Sequence, residues 1–574
     1  MLAARINGEW KRYSAREYVD TAYNVAYGLL TLGLKKGDRI VTISNNRPEW
    51  NFMDMGMALA GIVNVPVYPT ISDKEYSYIL NHAAPSLVVV SDKTLYSRLN
   101  PIANQVKSVK KVYTFNELEG VPNWSEIKAL GQNNKDKLKD GLEKIKASIQ
   151  PSEMVTILYT SGTTGMPKGV MLSHTNLVSN AISCSYHVSY GPTDKALSFL
   201  PISHVYERMV NYLFQYKGIS IYYAENIGTI ARDSQEIHPQ IFSAVPRLLE
   251  SVYDKIIAKG RDLTGIKKSL FFWAVKLGNA YDPEKGNGTL FNIKLKLANK
   301  LIFSKWRNSL GGCTTIITGG AAIQPRLVRI FWAAGIEVYE GYGLTETSPV
   351  ISVANQATKE IMIGSAGMVI RDVHVKIADD GEILVKGPNV MLGYYKEPEM
   401  TSEVINGDSY FHTGDIGELI DNKWLKITDR KKEIFKLSSG KYIAPQSIEN
   451  KFKESFFIEM LMVIGENQKF ASAIISPNFA YINNGWAEEQ GLKFSSNEEI
   501  IANKRVLEAI QQEVNRFNEQ LGQVERIKRF KLVPDTWTPQ TGEVSPTLKL
   551  KRRVISEKYA ALVNSIFAVD SEKE

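Results

Sequence analysis

Short runs rich in β-branched and apolar residues recur through the first 430 residues, separated by stretches long enough for a helix. Residues 39–44 (RIVTIS), 86–90 (SLVVV) and 314–318 (TTIIT) read as strands. Amphipathic segments such as residues 50–60 and 73–82 read as the crossover helices between them. This rhythm of strand, helix and strand implies parallel sheets covered by helices. A Lys/Asp-rich stretch at 131–150 reads as a charged helix or loop between subdomains, with no chemistry attached. A sharper change comes at 429–433 (DRKKE). Beyond it the pattern shortens, with a helix expected at 497–521 and a basic segment at 549–553. That suggests a small α+β domain joined by a polar hinge. Internal repeats and low-complexity tracts are absent from the sequence.

At 574 residues the chain exceeds a single core, so two or more domains are expected. With 44% hydrophobic and 23% charged residues it has the balance of a soluble globular protein. The net charge of +8 is a mild basic excess, compatible with an anionic ligand or an anionic membrane surface. Lysines and arginines are spread along the chain without a nucleic-acid motif, so no nucleic-acid partner is expected. Two distant cysteines, Cys184 and Cys313, exclude a disulfide framework and argue against a thiol–metal site. Seven histidines without HExxH or CxxC leave no zinc signature. The opening MLAARINGEWKRYS lacks an apolar signal core. The longest apolar stretch, 55–67, is too short for a span and contains Asn64. The cytosol is the expected compartment, with attachment at a membrane surface as the variant.

The strongest motif is YTSGTTGMPKGV at 159–170, which follows the apolar run 155–158 and precedes a helix start near 173–176. Gly162, Gly165 and Gly169 permit close backbone approach, Thr160, Ser161, Thr163 and Thr164 supply hydroxyls, and Lys168 adds charge. Such a loop can turn its N–H groups onto phosphate oxygens. A glycine/serine linker would need neither Lys168 nor a flanking strand. A Walker A loop is ruled out, because Pro167 stands where that motif needs glycine before its lysine.

This stretch resembles the phosphate-binding signature of the adenylate-forming superfamily, which includes acyl-CoA synthetases, luciferases and peptide-synthetase adenylation domains. Further matches follow in the family's order over nearly the whole chain. YEGYGLTET at 339–347 resembles the second signature, with Gly343 and Thr345 beside two named roles. The resemblance makes Tyr342 the aromatic that stacks on adenine and Glu346 the carboxylate that holds Mg²⁺. Asp415 in YFHTGD corresponds to the ribose-hydroxyl acceptor and Arg430 to a second ribose contact. TGGAA at 318–322 matches the glycine-rich stretch beside adenine, with Gly320 and Ala321. PTLKLKRR at 546–553 resembles the C-terminal lysine motif and makes Lys549 the adenylation lysine, with Lys551, Arg552 and Arg553 as competitors in the same basic run.

The resemblance implies an α/β fold. Its large N-terminal adenylation domain, residues 1–429, has parallel-rich sheets covered by helices and a distorted β-barrel subdomain. A hinge at 430–433 pivots on Lys432, and a small mobile α+β domain, 434–574, carries the lysine. A carboxylate attacks the α-phosphorus of ATP and expels pyrophosphate; a thiol then attacks the acyl-adenylate. Catalysis of the first step is mostly positioning and charge neutralisation. After domain rotation Gly440 and Lys441 would approach the CoA side, although Gly440 also reads as a plain turn glycine.

LPISHVYER at 200–208, the segment 264–312 and PTLKLKRR resemble the long-chain fatty acid–CoA ligase branch, where His204 lies near the reacting carboxylate. Between 285 and 336 there are eight Lys/Arg and no Asp or Glu, and apolar residues alternate with lysines over 290–306. That pattern suits either an anionic lipid surface or a helix on its own core with snorkelling lysines. Family members carry more residues before the GEWKRYS region than this chain does. The expected partners are ATP, a fatty acid and CoA, with Mg²⁺ accompanying ATP. Peripheral membrane contact and a homodimer are the further associations the pattern admits. Rival readings are transfer to an acyl carrier protein, a shorter or aryl acid, and a non-catalytic lipid- or nucleotide-binding relative. The last would have lost Lys168, Glu346 or Lys549, and all three are present.

Overall fold

The computed structural model describes residues 1–160, 166–538, 541–545 and 549–568. Seven strands form one sheet in the order Gly393–Tyr394, Lys168–Ser173, Met154–Thr160, Val63–Val67, Arg39–Ile43, Leu87–Val90 and Lys111–Thr114. Arg39–Ile43 pairs in parallel with Val63–Val67 on one side and Leu87–Val90 on the other. Parallel neighbours need crossovers, and helices Pro48–Leu59 and Asp73–Ala83 supply them, as the hydrophobic pattern predicts. All five residues of Val63–Val67 are buried, the mark of a strand covered on both faces.

The second sheet has thirteen strands. Its parallel part runs through Leu2–Ile6, Ser220–Tyr223, Lys195–Ser198, Ile241–Ala244, Thr315–Thr318 and Glu337–Gly343. From Val350–Val353 onward it continues antiparallel to the edge strand His374–Ile377. This extension occupies the place of the expected β-barrel, and among the described residues it does not close. His374–Ile377 pairs only with Glu382–Lys386, and its residues alternate exposed and half-buried, so water solvates the free edge instead of a partner strand.

The polar stretch 131–150 is helical as far as Ser148, in the helix Trp124–Ser148, and the strands before and after it join the same sheet. Trp124, Ile127 and Leu142 bury while its lysines face solvent. It packs along Ala15–Thr31 so closely that a Cβ on Gly131 would fall 1.7 Å from the Asn24 carbonyl oxygen.

Beyond residue 434, Ile458–Ile464, Ser472–Pro477 and Arg529–Leu532 form a small sheet with a hydrophobic cluster on each side. The helix expected at 497–521 is two, Asn497–Ala502 and Lys504–Asn518. Asn503 leaves helical geometry between them, and its side chain caps the N–H groups of Arg505 and Val506. This small domain docks on the large one through an Arg247–Glu459 ion pair and a bond from Gln324 Nε2 to the Lys453 carbonyl at 3.1 Å. Arg261 lies 4.9 Å from the ring of Phe456 and 4.8 Å from that of Tyr481, adding cation–π contacts. No helix among the described residues is long and apolar enough to cross a membrane.

Candidate active site

Met154–Thr160 and Lys168–Ser173 are antiparallel, with Thr160 opposite Lys168. The two ends of the glycine-rich signature are therefore fixed by one ladder of paired strands. Ser161, Gly162, Thr163, Thr164 and Gly165 lie outside the described residues. The expected helix starts at His174, with Ser173 and Asn176 forming a reciprocal cap.

Glu346 rides on a single 3-10 turn, Thr345–Thr347, after the strand Glu337–Gly343. Gly343 is required there, because a Cβ would fall 1.8 Å from the Pro349 carbonyl oxygen. The two signatures are tied by a segment the sequence reading passes over. The Met391 N–H donates to the Glu346 carbonyl at 2.8 Å, and the Tyr395 N–H donates to that of Gly169 at 2.7 Å. Between these ties the Tyr394 hydroxyl donates to Glu346 Oε1 at 3.0 Å, and its ring lies 5.1 Å from Lys168 Nζ. One buried tyrosine thus touches both charged residues.

Across the cleft, Asp415 and Arg430 face each other on paired strands. Arg430 Nε donates to Asp415 Oδ1 at 2.9 Å, and the Tyr342 hydroxyl donates to Oδ2 at 2.7 Å. Burial, and then the Asp415 charge, push the Tyr342 phenol above its ordinary pKa. Gly320 and Ala321 are exposed after strand Thr315–Thr318, with Gly320 at φ +84°. Beneath that loop the Ile323 N–H donates to Glu340 Oε1 at 3.3 Å, and burial pushes the Glu340 carboxyl up to about 8. Glu340 is a second residue that sequence reasoning missed. In a motif full of chemistry it carried no separate signal.

Lys549 arrives from the small domain. Its N–H donates to Ser545 Oγ at 3.1 Å, and its carbonyl accepts from the Ser545 N–H at 2.8 Å. The side chain is exposed along the cleft, yet protein on both sides desolvates its ammonium. Burial and then Arg430 lower its pKa, against the opposing pull of Asp415, Glu433 and Glu346. His204 caps the helix Val205–Lys217, accepting the Tyr206 N–H at Nδ1. Burial, and then the Lys549 charge, pull its pKa down to about 4, so it is neutral near pH 7. Lys549, His204, Glu346, Asp415 and Arg430 therefore share one electrostatic neighbourhood.

The two arginines that compete in the basic run are engaged elsewhere. Arg552 bonds to Glu433 at 3.0 Å and Glu449 at 2.7 Å, and Arg553 pairs with Glu557 at 2.7 Å. Lys551 precedes the helix Arg552–Lys558 and donates its N–H to the Glu543 carbonyl. Lys432 stands exposed in the turn after strand Trp424–Arg430. Gly440, at φ +82°, and the exposed Lys441 form the turn between Phe435–Lys436 and Tyr442–Ile443. The glycine is explained there by backbone geometry alone.

Residues 2–395 match the family model described as AMP-binding enzyme, and residues 432–571 match AMP-binding enzyme C-terminal domain. The chain belongs to the AMP-binding enzyme family. Between the two matched regions lies the hairpin that carries Asp415 and Arg430. This AMP-binding enzyme is 31% identical to peroxisomal long chain acyl-CoA synthetase 7 of Arabidopsis thaliana, over 98% of its own length and 83% of the relative's. It is 32% identical to long-chain-fatty-acid–CoA ligase 1 of Homo sapiens, over 98% and 82%. Among solved structures it is similar in fold to the adenylation domain of a carboxylate reductase from Mycobacterium chelonae. The TM-score there is 0.75 at 20% identity, covering 99% of this chain and 88% of that one.

Proposed function

We propose that this AMP-binding enzyme activates a long-chain fatty acid with ATP as the acyl-adenylate, releasing pyrophosphate, and then transfers the acyl group to CoA, releasing AMP. The observation that carries the reading is that Lys549 of the small domain feels the charges of Arg430, Asp415 and Glu346 and acts on His204, while Asp415 is bonded to Arg430 and Tyr342. Near-full-length similarity to long-chain fatty acid–CoA ligases supports the substrate class.

In this reading Asp415 accepts the ribose hydroxyls once its bonds to Tyr342 and Arg430 rearrange, and Tyr342 and the 320–321 loop flank adenine. Gly343 and Thr345 shape the turn that carries Glu346. Thr160 and Lys168, with residues 161–165 of the signature, hold the β- and γ-phosphates. The donors fit a magnesium ion brought in with ATP. Glu346 has one carboxylate oxygen bonded to Tyr394 and a second to offer, and among the described residues no cluster of three or more acidic, histidine or cysteine side chains forms a protein cage. Mg²⁺ is ordinarily held by one or two carboxylates plus phosphate oxygens. When bound, it supplies charge neutralisation at the phosphates. Lys549 bridges the fatty carboxylate and the α-phosphate as negative charge rearranges. Neutral His204 lines the acyl side without adding repulsion to the ammonium.

For the thioester step the domain 434–574 turns about residues 430–433, with Lys432 as pivot, away from the adenylation domain 1–429. Lys549 withdraws and the Gly440–Lys441 turn faces CoA. The test is pyrophosphate release with MgATP across acetate, octanoate, palmitate and oleate, with and without CoA. Palmitate- or oleate-dependent release with CoA consumed as thioester is expected. Lys549→Ala should slow adenylation by about 100- to 1000-fold while thioester formation from supplied acyl-adenylate continues. Adenylate that forms but never discharges to CoA would redirect the acceptor to a carrier protein. No release with any acid would overturn the reading.

A further inference from the structure

The helical run from Thr289 to Ser309 is apolar on two sides. Its inner side is accounted for: Ala298, Ile302, Phe303 and Trp306 are buried against Tyr253, Phe271 and Phe331. The outer side carries a second stripe, Leu290, Ile293, Leu297 and Leu301, exposed by 67%, 60%, 49% and 38%. The first three stand at i, i+3 and i+7, one face of an α-helix. Leu301 continues the stripe where Asn299–Phe303 is π-helical. A surface helix packed on one core ordinarily turns a polar face outward. This helix breaks that rule along three turns.

The residues that frame the stripe are all of one sign. Lys294, Lys296, Lys300 and Lys305 are exposed around it, and Ile266, 87% exposed, starts the helix packed alongside with exposed Lys267 and Lys268 next to it. The nearest acids preceding the run along the chain are already used. Asp282 accepts the N–H groups of Glu284 and Lys285 at 2.9 and 3.1 Å, and Glu284 accepts that of Ile363 at 2.8 Å. Neither carboxylate is bonded to a lysine of the face, and residues 285–336 contain no Asp or Glu to offset them.

We propose that this face docks the enzyme on a lipid bilayer bearing anionic headgroups, with the leucine stripe in the headgroup–acyl boundary and the lysines on the phosphates. Charge complementarity selects that occupant. A bilayer offers an apolar layer beneath a negative one, which is the arrangement the helix mirrors. A partly buried protein partner would have to desolvate four lysines, whereas at a membrane surface their ammonium groups stay in water while their stems cover apolar surface. The significance of the contact rests on the ligase reading, since a long-chain fatty acid partitions into bilayers. The contact itself does not.

The test is co-sedimentation of the full chain with vesicles of phosphatidylcholine alone or containing phosphatidylglycerol, with no ATP, fatty acid or CoA present. Its outcome is thus independent of the activity. Binding to the anionic vesicles only, weakened by salt, is expected. Lys294→Gln, Lys296→Gln and Lys300→Gln should each weaken it by about fivefold. Ile293→Asp with Leu297→Asp should abolish it while pyrophosphate release from detergent-dispersed palmitate stays unchanged, which shows that the variant is folded. Equal partitioning onto neutral vesicles, no binding to either, or binding untouched by both sets of substitutions would overturn the proposal. So would concentration-dependent self-association that Ile293→Asp removes, because the stripe would then be an interface between copies of this chain.

Discussion

Arg208 and Asp54 meet at 2.6 Å with side chains 1% and 3% exposed; Arg430 and Asp415 meet at 2.9 Å with side chains 36% and 8% exposed. The chemistry of the two pairs is the same and their surroundings are opposite. Every arm of the Arg208 guanidinium is consumed inside the protein. Nη1 donates to Thr156 Oγ1 at 2.7 Å, Nε to the Tyr212 hydroxyl at 2.9 Å, and Nη2 to Asp54. Asp54 also accepts from Asn64 Nδ2 at 2.7 Å and from the Tyr212 hydroxyl. The network stitches helices Pro48–Leu59 and Val205–Lys217 to the first sheet. Sealed from solvent, it is out of a ligand's reach. The Arg430 pair lies at the cleft, bonded through Nε and joined by one tyrosine, so its groups can be reassigned when a nucleotide enters. A buried charge pair bonded on every side is architecture; the same pair at an opening has groups that a nucleotide, in the reading proposed above, would reassign.

The contrast predicts different losses. Arg208→Met strands Asp54 in the interior, and breaking a sealed pair costs about 3–5 kcal/mol of stability. A large drop in melting temperature is expected, with an unchanged MgATP KM in whatever fraction folds. A variant that melts like the parent but binds ATP poorly would place Arg208 at the site and erase the contrast. Asp415→Asn keeps the shape and removes the charge. Loss of charge-assisted bonds worth about 1.5–3 kcal/mol raises the MgATP KM by roughly ten- to a hundredfold, with the ligand-free melting temperature unmoved. If that melting temperature falls in step with affinity, Asp415 is structural after all.

The two networks were unequally legible in the sequence. The cleft residues stood in contiguous signatures, and the resemblance of those signatures to a known family singled out Tyr342, Glu346, Asp415, Arg430 and Lys549. The parallel sheets were legible from runs such as LVVV, because a strand buried on both faces needs no polar alternation. The Arg208 network was not, since Thr42, Asn64, Thr156 and Asp54 are ordinary polar residues until folding brings them together. The same physics hid the break at Asn503, where one side-chain cap outweighs a continuous helical pattern. It also hid the open edge at His374–Ile377, because closure of a barrel depends on long-range register. Tyr394 was invisible for a simpler reason: a tyrosine in MLGYYKEPE reads as packing.

Tyr394 is the sharpest probe of the boundary between the two kinds of network, because it is buried like Arg208 and touches the cleft like Arg430. Its hydroxyl fixes one oxygen of Glu346, and its ring lies against the Lys168 ammonium. Tyr394→Phe removes the first contact and keeps the second. A hydrogen bond to a charged group is worth about 1.5 kcal/mol at the low end, so a shift of roughly tenfold is expected in the Mg²⁺ concentration needed for half-maximal ATP binding. The change should be confined to Mg²⁺ dependence, read by calorimetric titration of ATP at fixed Mg²⁺ concentrations, with the palmitate KM unaltered. Tyr394→Leu removes the ring as well and should weaken ATP binding even at saturating Mg²⁺. A positioning residue separates these two variants. A residue that only fills space does not, because Tyr394→Phe would then lower the melting temperature slightly and leave the Mg²⁺ titration where it was.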